Sequence, residues 1–477
     1  MPDPPVTTTG SSRQSFAFIS QSSQTGRVDR ETQRRVHSHA QANYRRRTSK
    51  RQHQGTVELN LAPLQGGSTN AELTLPRHYS SPTTLLDASR TDPFETFALQ
   101  GGRRAHQLWD HVYDGTCAKF RVLIDIGFID LVRESTALSQ LLSASAWHLV
   151  HFLRCEHDTG DDARYSMISN QALQHKLNDI VTGTSDDVVT AVLAAAAYAN
   201  LSKDPLLFQT HITGLSQILQ HRGGEDSLNA RPALRLALFW VETNGRFRQD
   251  SSPIYPPPYH ILVAQTKLTP AFIDVSQLSA DRQFGDIQRC TTVRYMFDRL
   301  RQLTETVDNE SSTKNNFWFE SSFLIYTIHP LLHELLSVPR ATGHDSTLLQ
   351  QRECVRLAAV LYVCNIRNRF DPDPGIGMLY GTKLYAMLRS PDLFSSWSEN
   401  NTSLAALIWI LTVAACSAAL FDDVRLPFKT LLSTTLRSTG IVTTFPDFYT
   451  LIHGLLWSNT VLEPDLGSLE NDLAFAD

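Results

Sequence analysis

The sequence predicts an all-α protein, in which a large multi-helix regulatory domain follows a disordered, basic N-terminal arm. After about residue 78, apolar residues recur three or four positions apart, which places them on one face of a helix. Alternation of apolar and polar residues, which would indicate strands, is scarce in this part. Residues 1–76 are instead rich in Ser, Thr, Gln, Gly and Arg, with too few apolar side chains to offset the entropy lost on ordering. We therefore predict a disordered region at 1–76 and a helical domain at 77–477.

Positive charge is concentrated in a short part of the disordered region, residues 27–51, which we call the basic arm. The arm contains nine Lys or Arg and two acidic residues, a balance of +7 in a chain whose net charge is -5. Net charge governs association with other molecules more than it governs the fold, so this asymmetry carries information about binding partners. Five basic residues between Arg45 and Arg51 have the composition of a nuclear import signal or a phosphate-binding patch, which we favour over a solvated charge run. The residues predicted to act in import or nucleic-acid contact are Arg34, Arg35, Arg45, Arg46, Arg47, Lys50 and Arg51.

The helical domain shows its first clear periodicity between Lys119 and Cys155. A second helix is predicted to start at TSDDVV, where Thr184 or Ser185 can cap it and the two aspartates favour the positive end of its dipole. A third is predicted in DPLLFQTHITGLSQILQHRGG, with Gly223 and Gly224 as its stop. Five further stretches of this type follow, from RPALRLALFWVETNGR to LPFKTLLSTTLRS.

One apolar segment has nearly the length of a membrane span. Leu404–Phe421, LAALIWILTVAACSAALF, is 18 uncharged residues long, at the lower limit for crossing a bilayer. Its alanines and small polar residues dilute its hydrophobicity, and Asp422 and Asp423 follow at once. We therefore predict a buried helix of a large bundle and no membrane contact.

Known catalytic and metal-binding motifs are absent from the sequence. His329 and His333 have the i, i+4 spacing of paired metal ligands, but Glu334 follows the second histidine, whereas zinc proteases have it after the first. DPDPGIGMLYGT, which begins at Asp371, has Thr382 where a calcium loop needs a Glu, so a turn is predicted. We therefore predict no catalytic residue, no metal site and no cofactor, and we expect that the protein is not an enzyme.

Residues 211–228, HITGLSQILQHRGGEDSL, resemble the His-x-x-Gly-Leu…Arg-Gly-Gly segment of the fungus-specific transcription factor domain, which accompanies zinc binuclear cluster regulators. Other stretches resemble the family in the same order, so that the likeness runs from about Phe16 to Leu420. They are FAFISQSSQTGRVDRETQRRVHSHAQANYRRR, TDPFETFAL, LRLALFWVETNGR and LAALIWILTVAACSAAL. The residues that match the central motif are His211, Gly214, Arg222, Gly223 and Gly224.

We expect structural roles for these motif residues. Gly214 would permit close helix packing, Arg222 would contact the carbonyls at the end of its own helix, and Gly223 and Gly224 would end that helix.

The resemblance implies a fungal nuclear protein with an all-helical regulatory domain, which acts in transcription and in some members within biosynthetic gene clusters. The zinc cluster of this family needs six cysteines, beginning with pairs of Cys-x-x-Cys type ahead of the helical domain. Here the first cysteine is Cys117, inside the helical domain, and no two cysteines have that spacing. Zinc-dependent base recognition is therefore not implied. The basic arm would supply nuclear entry and phosphate contact, with sequence choice from a protein partner or a homodimer.

Three functions from different classes remain open. We favour a transcriptional regulator whose basic arm contacts DNA. The second is a helical adaptor that uses the arm for import alone and binds proteins. The third is an enzyme or small-molecule binder with dispersed residues; a cavity between helices could hold an effector, and the sequence neither identifies nor locates one.

Overall fold

The computed structural model describes residues 102–179, 182–268, 290–373, 375–399 and 401–475, all within the part of the chain from Tyr79 to Asp477. Within these ranges the regular elements are helices, and no strand is present. The prediction of an all-α domain is therefore confirmed. The predictions for the disordered region, for the basic arm with its seven import or nucleic-acid residues, and for the TDPFETFAL segment lie outside the described residues.

The first five helices contribute to the main core, and three of them also bury a small satellite cluster. They are α1 (Gly102–Val112), α2 (Ala118–Asp125), α3 (Phe128–Arg133), α4 (Leu138–Trp147) and α5 (Asp161–Leu177). Gly127 has a φ of 77°, in the left-handed region that glycine adopts readily, and so allows the sharp turn between α2 and α3. Helices α1, α4 and α5 bury a satellite cluster that includes Leu108, Leu142 and Tyr165.

The next three helices carry the clearest local signals. They are α6 (Asp186–Leu201), α7 (Pro205–His221) and α8 (Pro232–Gln249). Ser185 caps α6 by accepting a hydrogen bond from the backbone N–H of Val188. Of the two predicted candidates, Ser185 and not Thr184 is therefore the cap. Asp204 accepts two backbone N–H bonds at the start of α7, where Pro205 stands at the first helical position.

Helix α8 ends in an unusual residue. Asp250 follows its last residue with a φ of 47° and a ψ of 52°, a left-handed conformation in which glycine is the common choice. The Asp250 side chain is fully buried among basic groups.

The centre of the fold is a long helix that is buried on all sides. It belongs to the set α9 (Tyr259–Leu262), α10 (Thr291–Thr313), α11 (Ser321–Phe323), α12 (His329–Ser337) and α13 (Thr347–Phe370). Helix α13 contacts α10 and α12, and its residues from Gln351 to Arg367 are all buried. A helix buried on every face is expected to lie in the core of a large bundle, and the buried charged residues of α13, such as Arg356 and Arg367, are ion-paired there.

The chain closes with α14 (Met378–Leu388), α15 (Pro391–Ser396), α16 (Asn401–Ala415), α17 (Asp422–Thr439), α18 (Phe445–Leu455) and α19 (Glu463–Ser468). Helix α16 is the predicted buried helix, and it packs on α13 and α17. It ends at Ala415 and not at Phe421, because the following Ser417 and Ala419 donate hydrogen bonds to the Asn365 side chain of α13. Among the described residues, none of the helices combines the length and the apolar character that crossing a bilayer requires.

Candidate functional site

The family motif lies at the C-terminal end of α7, where two glycines form a helix stop. Helix α7 ends at His221, and Gly223 and Gly224 have φ values of 91° and 98°. The backbone N–H of Gly224 donates to the carbonyl of Leu219 at 2.8 Å, and that of Gly223 donates to Gln220 at 3.1 Å. This pair of bonds is the Schellman motif, so the helix stops where the glycines were predicted to stop it.

Arg222 makes a contact that the sequence did not predict. Its guanidinium donates to the carbonyl of Thr184 at 3.0 Å and to the Asp186 carboxylate at 2.6 Å. Both partners belong to the start of α6, whereas we expected carbonyls at the end of α7. The correct role of Arg222 is therefore to join the end of α7 to the start of α6, with Arg231 as a second cation on Asp186.

The prediction of close helix packing at Gly214 is wrong. A Cβ at Gly214 would meet no described atom within 4 Å, whereas one at Gly245 of α8 would lie 1.9 Å from the ring of Phe208 on α7. The close approach of the two helices therefore depends on Gly245. The remaining motif residue, His211, is partly buried, and this burial lowers its pKa.

Two clusters of charged residues, each with a buried centre, lie beside α8 and α13. We call the first the Asp250 cluster: its members are Asp250, Arg340, Glu353, Arg356 and Lys383. Asp250 and Arg356 have no exposed side-chain surface and are joined by two hydrogen bonds of 2.9 and 3.1 Å. Burial by itself would raise the pKa of Asp250, but attraction to Arg356 and hydrogen bonds from Arg356 and Lys383 outweigh it, so the pKa lies below its usual value.

The second cluster, which we call the Asp371–Asp373 cluster, joins four cations to two carboxylates. Its members are Lys119, Lys203, Arg248, Arg367, Asp371 and Asp373. Lys119 lies 2.9 Å from Asp371, and Arg367 lies 3.0 Å from the same carboxylate. Arg248 and Lys203 both contact Asp373. The formal charge of the cluster is therefore +2, and attraction to its cations holds the pKa of Asp371 below its usual value despite burial.

Two cavities border the Asp371–Asp373 cluster. The first has a volume of about 30 Å³, room for one or two water molecules, and lies between α2, α3, α4, α6 and α8. It is narrow, and most of its lining is apolar, with side chains such as Phe120, Ile129 and Leu141. Its polar lining includes Lys119, Asn200, Asn244 and Arg248.

The second cavity, of about 210 Å³, shares Asn200 and Arg248 with the first and is lined also by Lys203 and Asp204. Lys203 has a φ of 60°, an uncommon conformation for a residue with a Cβ, in the short connection between α6 and α7. Within the described residues, no motif residue of α7 lines either cavity.

The two histidines with metal-ligand spacing are core residues. His329 is buried and donates from Nδ1 to the carbonyl of Leu324 at 2.7 Å, with Nε2 placed 3.0 Å from the Asn244 amide. His333 lies 3.0 Å from the carbonyl of Tyr255. Burial lowers the pKa of His329 to about 3 and that of His333 to about 4, so both are neutral at neutral pH. Within the described residues, no group of three or more His, Cys, Asp or Glu side chains is arranged to hold a metal ion.

Sequence reasoning missed the residues that line the cavities. Lys119, Asn200, Asn244 and Arg248 stand on four separate turns of three helices, and nothing in their spacing marks them as a set. The Asp371 segment was predicted to be a turn, and residues 375–377 are one, but its two aspartates are buried and ion-paired. Only the i, i+4 pair Arg367 and Asp371 is a local signal.

Comparison with known proteins gives the class of the chain. The model of the family described as fungal specific transcription factor domain matches residues 127–453. Because the match covers more than half of the sequence, the chain belongs to this family, as its motifs predicted. No curated protein and no solved structure matches the chain. The family makes the protein a fungal transcriptional regulator, and no zinc cluster is found in its sequence.

Proposed function

We propose that the protein is a nuclear regulator whose helical domain binds protein partners or a second copy, and whose basic arm provides import and phosphate contact. The observation that carries this proposal is the family match over residues 127–453, preceded in the chain by a segment of charge +7. A patch of this charge releases counterions from DNA whatever the base sequence, and so supports binding without a zinc cluster. The genes that it controls include, on this proposal, those of a biosynthetic cluster.

The proposal is tested first by chromatin occupancy. The tagged protein is compared with a version in which residues 27–51 are deleted and an unrelated nuclear import signal is added. Discrete peaks that vanish with the arm would support DNA contact through it. Peaks that persist would move recognition to the helical domain or a partner, and no peaks in either version would favour the adaptor function.

A binding measurement with purified protein sharpens the result. The affinity for a labelled DNA duplex is measured by fluorescence anisotropy at several salt concentrations. A plot of log affinity against log salt concentration is expected to be linear, with a slope of about -0.9 multiplied by the number of phosphates that the protein neutralises. The seven predicted arm residues are then changed to Gln together, which should flatten the slope. The matched control changes two exposed basic residues of the helical domain, Arg133→Gln and Arg301→Gln, and should leave the slope unchanged. A salt-independent affinity would contradict phosphate contact.

A further inference from the structure

An exposed serine lies in the irregular connection between α8 and α9. Ser252 comes two residues after Asp250 and is followed by Pro253. The residue before a proline favours an extended backbone, which is the conformation that protein kinases bind in their substrates. One class of these enzymes, the proline-directed kinases, requires a proline directly after the serine. Ser252 therefore has the exposure, the backbone setting and the following residue that this class needs.

A cation is already in contact with this serine. Nη1 of Arg340, which lies after the end of α12, donates to the hydroxyl oxygen of Ser252 at 2.8 Å. Nη2 of the same guanidinium lies 3.3 Å from the Asp250 carboxylate, and its Nε has no hydrogen-bond partner among the described residues. Burial and the positive charge of Arg356 lower the pKa of Arg340, so a further anion beside this guanidinium would be stabilising.

The Asp250 cluster as a whole has a surplus of positive charge. Its three cations face two carboxylates, so its formal charge is +1. Two of the cations reach the surface, because the side chain of Arg340 is 23% exposed and that of Lys383 is 43% exposed. A phosphate group on a serine carries a charge of about -1.5 to -2 at neutral pH and three strong acceptor oxygens. The surplus would offset at least half of that charge, and arginine is a strong partner of phosphate.

We propose that Ser252 is a phosphorylation site for a proline-directed protein kinase, and that its phosphate pairs with Arg340. In the transfer, Oγ of Ser252 forms a bond to the γ-phosphorus of ATP, while the bond from that phosphorus to the oxygen that bridges it to the β-phosphorus breaks. ADP leaves, and the hydroxyl proton passes to the catalytic carboxylate of the kinase. The phosphate then joins the connection after α8 to the residues that follow α12. A regulatory use of this link would rest on the function proposed above, whereas the modification does not.

The first test is transfer of phosphate to the folded protein. The full chain is incubated with ATP and a purified mitogen-activated protein kinase that is active on a standard Ser-Pro peptide, and tandem mass spectrometry locates the phosphate. We expect phosphate on Ser252, and we expect Ser252→Ala to carry one phosphate fewer than the original protein. Ser251→Ala removes a serine that no proline follows, so this matched control should carry the original number. An unmodified Ser252 would overturn the proposal.

The second test measures whether the folded protein holds the phosphate. Phosphoserine is incorporated at position 252 during translation, and ³¹P NMR follows its second ionisation as the pH is varied. The second pKa of a phosphoserine is about 6, and a nearby guanidinium lowers this pKa because it favours the dianion. We expect the midpoint in the folded protein to lie at least about 0.5 below that of the same protein in concentrated urea. Equal midpoints would overturn the proposal.

Substitutions at Arg340 distinguish a specific pair from the general charge of the protein. In the phosphoserine protein, Arg340→Gln should raise the midpoint toward about 6, whereas Arg340→Lys, which keeps the positive charge, should retain most of the lowering. Arg133→Gln, at an exposed position of α3, is the control and should leave the midpoint unchanged. Equal midpoints in Arg340→Gln and Arg133→Gln would overturn the pairing with Arg340. If circular dichroism shows that Arg340→Gln does not fold, the comparison with urea decides.

Discussion

The Asp250 cluster and the Asp371–Asp373 cluster have the same residue types but different surroundings. In the first, the central Asp250 and Arg356 have no exposed surface, and none of its members lines the two cavities found in the described part of the chain. In the second, Lys119, Lys203 and Arg248 line one or both cavities. Depressed carboxyl pKa values occur in both. The comparison teaches that buried charge with a depressed carboxyl pKa occurs both in a closed cluster and in one that borders open space, so neither property by itself marks a functional site.

The largest expected effect comes from opening the Asp250 cluster. Arg356→Met would leave Asp250 and Glu353 buried without their main partner, and we expect the free energy of unfolding to fall by about 3–5 kcal/mol. Urea denaturation at pH 7 measures it. Arg301→Met, which breaks an exposed pair with Asp298, is the control and should cost less than about 1 kcal/mol. Equal losses in both variants would show that the Asp250 cluster is not a closed structural unit.

The glycine at the contact between α7 and α8 gives the next effect. Gly245→Ala would drive a methyl group into the ring of Phe208, which lines the second cavity, and we expect a loss of about 1–3 kcal/mol in denaturant unfolding. Gly214→Ala, on α7 in open space, should instead stabilise the protein by about 0.5–1 kcal/mol. If both substitutions changed the free energy of unfolding in the same direction, the close approach of α7 and α8 at Gly245 would be refuted.

The pH dependence of stability separates the buried histidine His329 from the buried carboxylates Asp250 and Asp371. His329 has a folded pKa of about 3 against about 6.5 when unfolded, so below pH 6.5 the unfolded state binds the proton and stability falls. The loss approaches about 1.4 kcal/mol per pH unit for this residue. Asp250 and Asp371 have depressed pKa values, so their contribution is lost only below about pH 3.9.

The measurement is urea denaturation between pH 6.5 and 5.0. His329→Gln should flatten the decline, whereas His344→Gln, at an exposed position, should leave it unchanged. An unaltered slope in the His329 variant would mean that the pKa of this histidine is the same in the folded and unfolded states, which would contradict its lowering by burial.

The smallest effect is expected at the cavity wall. Lys119→Met removes one cation from Asp371, which keeps Arg367 as a partner, so we expect a loss of only about 1 kcal/mol by thermal or urea unfolding. Lys267→Met, at a more exposed pair with Glu310, should cost less. If Lys119→Met lowered the free energy of unfolding as much as Arg356→Met, the two clusters would not differ in their contribution to stability.

The features that the sequence predicted well depend on neighbours in the chain. The start of α6 at the aspartate pair and the stop of α7 at Gly223 follow from backbone groups within a few residues. The features that it missed depend on distant partners. Lys119 and Asp371 are 252 residues apart, and the partner of Arg222 lies 36 residues before it.

The wrong prediction of close packing at Gly214 also comes from a contact between residues that are distant in the chain. Gly214 and Gly245 both lie inside predicted helices, and only the approach of Phe208 from another helix distinguishes them. The early end of α16 likewise depends on Asn365 of α13, so the apolar run up to Phe421 gave no sign of it. The cavity could not be predicted, because it is defined by the spacing of α2, α3, α4, α6 and α8 in space.

Asp250 connects the length of a helix to the chemistry of the cavity. Its left-handed backbone ends α8, and its carboxylate fixes that end to Arg356. A slip of one residue at this stop would rotate every side chain of α8 by about 100°, since an α-helix has 3.6 residues per turn. Arg248 and Asn244 would then turn away from the cavity that they line. The residue that terminates the helix thus also sets which side chains of α8 face the cavity. Glycine would suit the backbone conformation better, but it has no carboxylate that could hold the end of the helix in place.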